Sequence, residues 1–246
     1  MSKALSTDFK RFLVFPRRNR KKEKATMKNI RQYLSPILTA FEKNEHEKVR
    51  ILGFGSSNTE HFLPGMHWFE WLDLAIRCRY GRVHTSINTG VGGDTTDDLL
   101  RRFETDAARY RPHLVFLTIG GNDSNPDRMV TPERYRENLR KLYGLFSAMG
   151  TLVVFQTYYA MAHSEAERLK RFHLFMNIVR EIAEETGAAL IDHLKHWEPF
   201  RLRYPEKHEE LMHDVAHLNA RGNSVFAAGI CRRLGLGFAR GFAPEW

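Results

Sequence analysis

Cysteine is almost absent from this chain of 246 residues: there are two, Cys78 and Cys231. That excludes a disulfide framework and leads to the expectation of two buried thiols in a reducing compartment. Long apolar runs are missing as well, since no stretch approaches the ~20 residues that cross a bilayer. The opening, MSKALSTDFKRFLVF, lacks the order of basic, long apolar and small residues that marks a secretory leader. A cytoplasmic location follows as an expectation. No internal repeat or low-complexity segment is visible. With 42% hydrophobic and 27% charged residues, the composition excludes a disordered chain and fits a soluble globular protein with one sizeable core.

Acidic residues are scarce only at the start. Residues 1–50 hold 14 Lys and Arg against 5 Asp and Glu, and the remaining 196 hold 24 of each, so the formal net charge of +9 belongs to the first segment. Its densest part, residues 17–24 (RRNRKKEK), could meet nucleic acid or an anionic membrane surface. No aromatic or groove-fitting pattern accompanies it, so a solvated arm with no obligate nucleic-acid partner is the plainer expectation. The neutral remainder gives no electrostatic case for a polyanionic substrate.

Residues 1–26 read as an arm. Beyond them Ile30, Tyr33, Leu34, Ile37, Leu38 and Phe41 fall at helical spacing, and Pro36 after Ser35 predicts a helix start with Ser35 as N-cap. From Val49 the pattern becomes strand, loop, helix, repeated. Strands are expected at 49–54, 83–87, 114–119, 152–156 and 188–191, and helices at 68–80, 96–110, 132–149, 164–186 and 219–234. Near-continuous apolar strands alternating with helices imply a parallel five-stranded sheet covered on both faces. Ligand sites in such sheets lie beyond the carboxyl ends of the strands, which directs attention to the loops there.

Four short segments in those loops can carry chemistry. The first is Gly55-Ser56-Ser57-Asn58-Thr59: a serine at a strand-to-helix turn has an exposed hydroxyl near a helix start that favours negative charge, although the same residues make an ordinary turn. It lacks the second glycine of the Gly-x-Ser-x-Gly elbow, which argues against an α/β-hydrolase. The second is Gly90-Val91-Gly92-Gly93-Asp94-Thr95, which can present backbone N–H groups to an anion or simply cap a helix through Asp94 or Thr95. It matches neither a Walker nor a dinucleotide loop. The third is Gly120-Gly121-Asn122-Asp123, where an amide at the sheet edge could hold an oxyanion or form an Asx-turn. The fourth is Asp214-Val215-Ala216-His217, whose carboxylate and imidazole can touch on one turn. His213 and His217 have the spacing of a metal pair, but no Glu follows His213 as a zinc protease motif requires, and no metal is expected.

Taken in order, these blocks resemble the SGNH (GDSL-like) hydrolase family, whose four blocks are marked by Ser, Gly, Asn and His. The resemblance spans residues 49 to about 235. It implies a flavodoxin-like three-layer α/β/α sandwich and a serine esterase acting on a small ester of a carbohydrate or lipid, with no metal or organic cofactor. Carried over by position, Ser57 is the nucleophile, His217 the general base and Asp214 the residue that orients it. The oxyanion hole is the N–H of Ser57, the N–H of Gly93 and the side-chain amide of Asn122. The first block departs from the usual Gly-Asp-Ser by carrying Ser56, so the hydrogen bonds of the missing carboxylate fall to Ser56 or elsewhere. The corresponding division of the chain is a basic arm with a lead-in helix over 1–47, the hydrolase domain over 48–238 and a tail over 239–246. An acyltransferase on the same fold, and a non-catalytic binding module with a basic arm, are the competing readings. Trp68, Phe69, Trp71, Tyr158 and Tyr159 are candidates for a substrate pocket, with core packing as the commoner role of such residues.

Overall fold

The computed structural model describes residues 30–44, 47–162 and 165–236, so the basic run 17–24 and the tail 239–246 lie outside the described residues. Its elements, in chain order, are α1 (Ser35–Lys43), β1 (Val49–Gly55), α2 (Trp68–Tyr80), β2 (His84–Asn88), α3 (Thr96–Arg101), α4 (Phe103–Asp106), β3 (Leu114–Thr118), α5 (Pro132–Ala148), β4 (Leu152–Gln156), α6 (Ala166–Thr186), β5 (Ala189–Ile191), α7 (Leu194–Arg203), α8 (Pro205–Glu209) and α9 (Ala220–Leu234). The five strands are all parallel, in the order β2-β1-β3-β4-β5. This is the expected three-layer α/β/α architecture with its single five-stranded sheet.

Alternation along the strands builds the two faces. Phe54 of β1 meets Phe146 of α5 edge-on at 5.9 Å. Phe116 of β3 points the other way, 6.2 Å from Trp68 of α2, which also packs on Phe226 of α9. Helices α2 and α9 therefore share one layer, while α5 packs with α3 and α6 in the other. Chain connections leave β1 and β3, which are neighbours, toward opposite faces, and a crevice opens at their carboxyl ends where the direction of winding reverses. The lead-in helix joins the same core: Ile30, Leu34, Ile37 and Phe41 are buried in it.

Local signals set most helix ends. Thr131 Oγ1 accepts the Arg134 N–H ahead of Pro132 at the start of α5, and the Asn219 side chain accepts the Gly222 N–H at the start of α9. Three expectations need correction. Ser35 does not cap α1: Leu34 holds the cap position with φ −88° and ψ 7°, because residues 30–33 are already helical and the extended entry that a capping side chain needs is absent. The helix expected over 96–110 is broken at Arg102 into α3, α4 and a short 3₁₀ turn, although Leu99, Phe103 and Ala107 keep the helical stripe and are all buried. The two thiols are free, but only Cys231 is buried; Cys78 is exposed on α2.

Candidate active site

Register brings the loops together before any side chain acts. Gly55 pairs with Thr118 across β1 and β3, so the chain leaves both strands at one level and Ser56–Ser57 stand beside Ile119–Gly120. Beyond β2 the loop keeps running along β1, with Thr89 N–H donating to the Gly53 carbonyl and Val91 N–H to that of Gly55. Gly92 and Gly93 are thereby carried to Ser57. The approach is close enough that a Cβ on Gly55 would stand 2.3 Å from the Thr118 carbonyl oxygen. Gly93 has φ +82°, a conformation that side chains resist. Thr95 caps α3 with Asp98, so the helix-cap reading of this segment holds alongside the anion-loop reading.

The fourth block arrives from the other end of the chain. Residues 213–216 form a bend closed by an antiparallel bridge between Met212 and Leu218, with Ala162 N–H donating to the Val215 carbonyl. His217 Nε2 lies 2.9 Å from Ser57 Oγ, and His217 Nδ1 lies 2.8 Å from Asp214 Oδ2. Asp214 Oδ1 accepts the N–H groups of Ala216 and His217, both at 2.8 Å. A carboxylate can only accept, so Nδ1 carries the proton and Nε2 is left to receive one from the Ser57 hydroxyl. Burial works against the Asp214 charge, but those amides and the imidazole outweigh it and hold the carboxyl below its ordinary range. Both ring nitrogens of His217 are engaged, so the His213/His217 spacing forms no ligand pair. Among the described residues no group of three or more His, Cys, Asp or Glu side chains converges.

In the first three blocks, three polar hydrogens have no protein acceptor among the described residues. The Ser57 and Gly93 N–H groups make no hydrogen bond among the described residues. The Asn122 amide uses one hydrogen on the Asp94 carbonyl at 2.8 Å, which fixes its rotamer and leaves the other available. An array of fixed donors beside a hydroxyl–imidazole–carboxylate relay can stabilise an oxyanion formed by attack on a carbonyl.

Further residues hold these loops in place, Arg102 among them without any signal in the sequence. Arg102 donates to Asp94 Oδ2 at 2.6 Å, to the Thr89 carbonyl at 2.7 Å and to the Gly55 carbonyl at 2.9 Å, with its guanidinium over the Phe54 ring. Asp123 Oδ1 accepts both the N–H and the hydroxyl of Thr96, joining the third loop to the second. Its Oδ2 is buried without a partner among the described residues, and burial pushes the carboxyl up to about 6. Ser56, standing where the family usually has aspartate, meets the buried Tyr158 hydroxyl at 3.0 Å. Asn58 is clamped from behind by Trp68 Nε1, 2.7 Å from its carbonyl, and its side chain touches Tyr159, whose hydroxyl donates to the Ala216 carbonyl at 2.5 Å. Of the aromatic candidates, Trp68 and Tyr159 line the back of a cleft beside Ser57, while Phe69 and Tyr158 are core.

A hydroxyl–imidazole–carboxylate relay at the carboxyl ends of a parallel sheet fits the chemistry of carboxylic ester hydrolases. The model of the GDSL-like Lipase/Acylhydrolase family matches residues 54–225, and the chain belongs to that family. Curated relatives include the acetylxylan esterase of Geobacillus stearothermophilus, 25% identical over 199 residues that cover 76% of this chain and 86% of the relative. The uncharacterised lipoprotein YqeF of Bacillus subtilis is 25% identical over 178 residues, 60% of this chain and 71% of that protein. Among solved structures, Axe2, an acetylxylan esterase from Geobacillus stearothermophilus, superposes with a TM-score of 0.68 at 22% identity, covering 78% of this chain and 97% of its own. The protein is thus an SGNH-type carboxylic ester hydrolase.

Proposed function

We propose that the protein hydrolyses short acyl esters of a carbohydrate-like alcohol through an acyl-enzyme on Ser57. The observation that carries this reading is the unbroken chain Ser57 Oγ, His217 Nε2, His217 Nδ1, Asp214 Oδ2, with links of 2.9 and 2.8 Å. Ser57 Oγ attacks the ester carbonyl carbon while Nε2 takes its proton. The carbonyl oxygen becomes an oxyanion against the N–H groups of Ser57 and Gly93 and the Asn122 amide. Collapse breaks the bond to the alkoxy oxygen, which leaves as the alcohol with the proton from Nε2. Water then repeats the sequence: it yields a proton to Nε2, its oxygen bonds the acyl carbon, and Ser57 departs with that proton as the free acid forms. Asp214 stabilises the imidazolium at each stage. The carbohydrate preference draws on the acetylxylan esterase among the relatives.

Labelling with a fluorophosphonate probe tests the mechanism. The adduct should map to Ser57, Ser57→Ala should lose at least ~10⁴-fold in kcat, and Ser56→Ala should keep a measurable fraction. An adduct on Ser56, or equal loss from the two changes, overturns the assignment. Hydrolysis of acetylated xylo-oligosaccharides set against p-nitrophenyl esters of rising chain length tests the substrate, and a preference for long acyl chains would refute it.

A further inference from the structure

Two charged side chains beside the site have no part in the chemistry described above. Glu60 follows Ser57 by three residues, and the turn that returns its N–H to the Ser56 carbonyl folds its carboxylate back over the glycine loop. A Cβ placed on Gly92 would stand 2.7 Å from Glu60 Oε2 and 3.9 Å from the Ser57 Cβ. Arg128 approaches the same loop from the third block. It ends the 3₁₀ turn Pro126–Arg128, and its guanidinium would lie 3.3 Å from a Cβ on Gly93. Carboxylate and guanidinium thus flank the Gly92–Gly93 segment. Neither is in an ion pair or hydrogen bond among the described residues, whereas neighbouring polar side chains are paired: His61 with Glu70, and Asp94 with Arg102. A third group lines the cleft together with Glu60. Phe62 is 48% exposed and meets the His217 ring edge-on at 5.2 Å, lining the cleft next to Ser57.

We infer that Glu60, Arg128 and Phe62 form the subsite for the alcohol part of the ester, and that it selects alcohols with a free hydroxyl next to the acylated oxygen. This rests on the proposed Ser57 mechanism and extends it to the leaving group. A carboxylate only accepts and a guanidinium only donates, so a hydrocarbon alcohol would desolvate both without satisfying either. A hydroxyl does both, and a ring bearing vicinal hydroxyls offers Glu60 a proton and Arg128 a lone pair. The flat face of Phe62 suits the C–H face of such a ring. The small glycines between the charges keep the path to Ser57 Oγ open. Partially acylated sugars and polyols fit this chemistry, and fully acylated ones do not.

The test measures kcat/KM of the full-length protein on a monoacetylated methyl xylopyranoside and on its peracetylated counterpart, and takes the ratio per ester bond. The wild type should favour the monoacetylated sugar. Glu60→Gln and Arg128→Gln should each lower that ratio about tenfold, the scale of one charge-assisted hydrogen bond at a half-exposed site, and Phe62→Ala should raise KM for the sugar more than for p-nitrophenyl acetate. Fluorophosphonate labelling of Ser57 in each variant shows that the site is folded and separates the two ideas. If wild-type Ser57 is not labelled, the mechanism fails. If it is labelled and the ratio is unmoved by both charge changes, or the wild type prefers the peracetylated sugar, only the subsite fails.

Discussion

The two sides of the Ser57–His217 contact are built to different standards. On the serine side, loops after β1, β2 and β3 are tied to one another by Arg102, by Asp123 on Thr96, by Asn122 on the Asp94 carbonyl and by the Asn88 amide on the Thr59 carbonyl. On the histidine side, Asp214 is 45% exposed and Val215 half-exposed, and the bend is held mostly from within and from the adjoining chain: by the Met212–Leu218 bridge, by Asp214 Oδ1 on the Ala216 and His217 N–H groups, by Asn219 on the Met212 carbonyl, and by the Tyr159–Ala216 and Ala162–Val215 hydrogen bonds. The proposed mechanism accounts for the contrast. Donors that stabilise a transient charge act only if they are oriented beforehand, whereas a general base needs the right tautomer and reach.

The sharpest way to break this comparison lies on the exposed side. Asp214 Oδ1 is held by two amides, so in Asp214→Asn the carbonyl oxygen must stay there and the amide nitrogen must face Nδ1. That forces the proton onto Nε2, the wrong tautomer, and kcat should fall by about 10⁴. Asp214→Ala removes the false donor and admits water, so it should retain more activity than the Asn variant. The reverse order would mean that the carboxylate is not exchangeable with solvent. Next in size, Asn122→Ala should lower kcat by about 10²–10³ with little change in KM; a loss confined to KM would show that the amide binds substrate and not the oxyanion. Arg102→Lys keeps the charge but loses the fork, so it should cost about tenfold in kcat and lower Tm, because a lysine cannot hold Gly55, Thr89 and Asp94 at once. Unchanged kcat at lowered Tm would leave Arg102 a purely structural tie.

The smallest effect concerns stability. Asp123 titrates near 6 in the folded protein against 3.8 ordinarily, raised by burial. A raised carboxyl favours folding while it is protonated, and that contribution is lost as pH rises through about 6. The shift is worth about 3 kcal/mol at most. Wild-type Tm should therefore drop relative to Asp123→Asn between pH 4 and pH 7 in thermal unfolding, and parallel Tm curves would contradict it.

Much of this site can be read in the sequence because its parts end strands: an apolar run stops, a glycine follows, and the next polar residue stands at the sheet edge, as at Ser57 and Asn122. Arg102 gave no such signal. It sits in Leu-Leu-Arg-Arg-Phe, where the apolar stripe runs on through Phe103, and only the backbone break at that residue turns its side chain inward. The helices α7 and α8 have no counterpart among the expected elements; Pro205 starts α8 and Pro199 is tolerated inside α7. Glu60 and Arg128 look like any surface charge, and only the fold places them on either side of one glycine pair.

The contact between His217 and Ser57 joins positions 160 residues apart. Loops bearing Ser57, Gly93 and Asn122 belong to the first half of the chain, while the base precedes α9, which docks when the Asn223 side chain accepts the Trp68 N–H of α2. On the proposed mechanism, a chain emerging from synthesis carries Ser57, Gly93 and Asn122 long before it carries His217. That mechanism predicts no ester cleavage until α9 is seated, so its onset during refolding should report a late step of assembly.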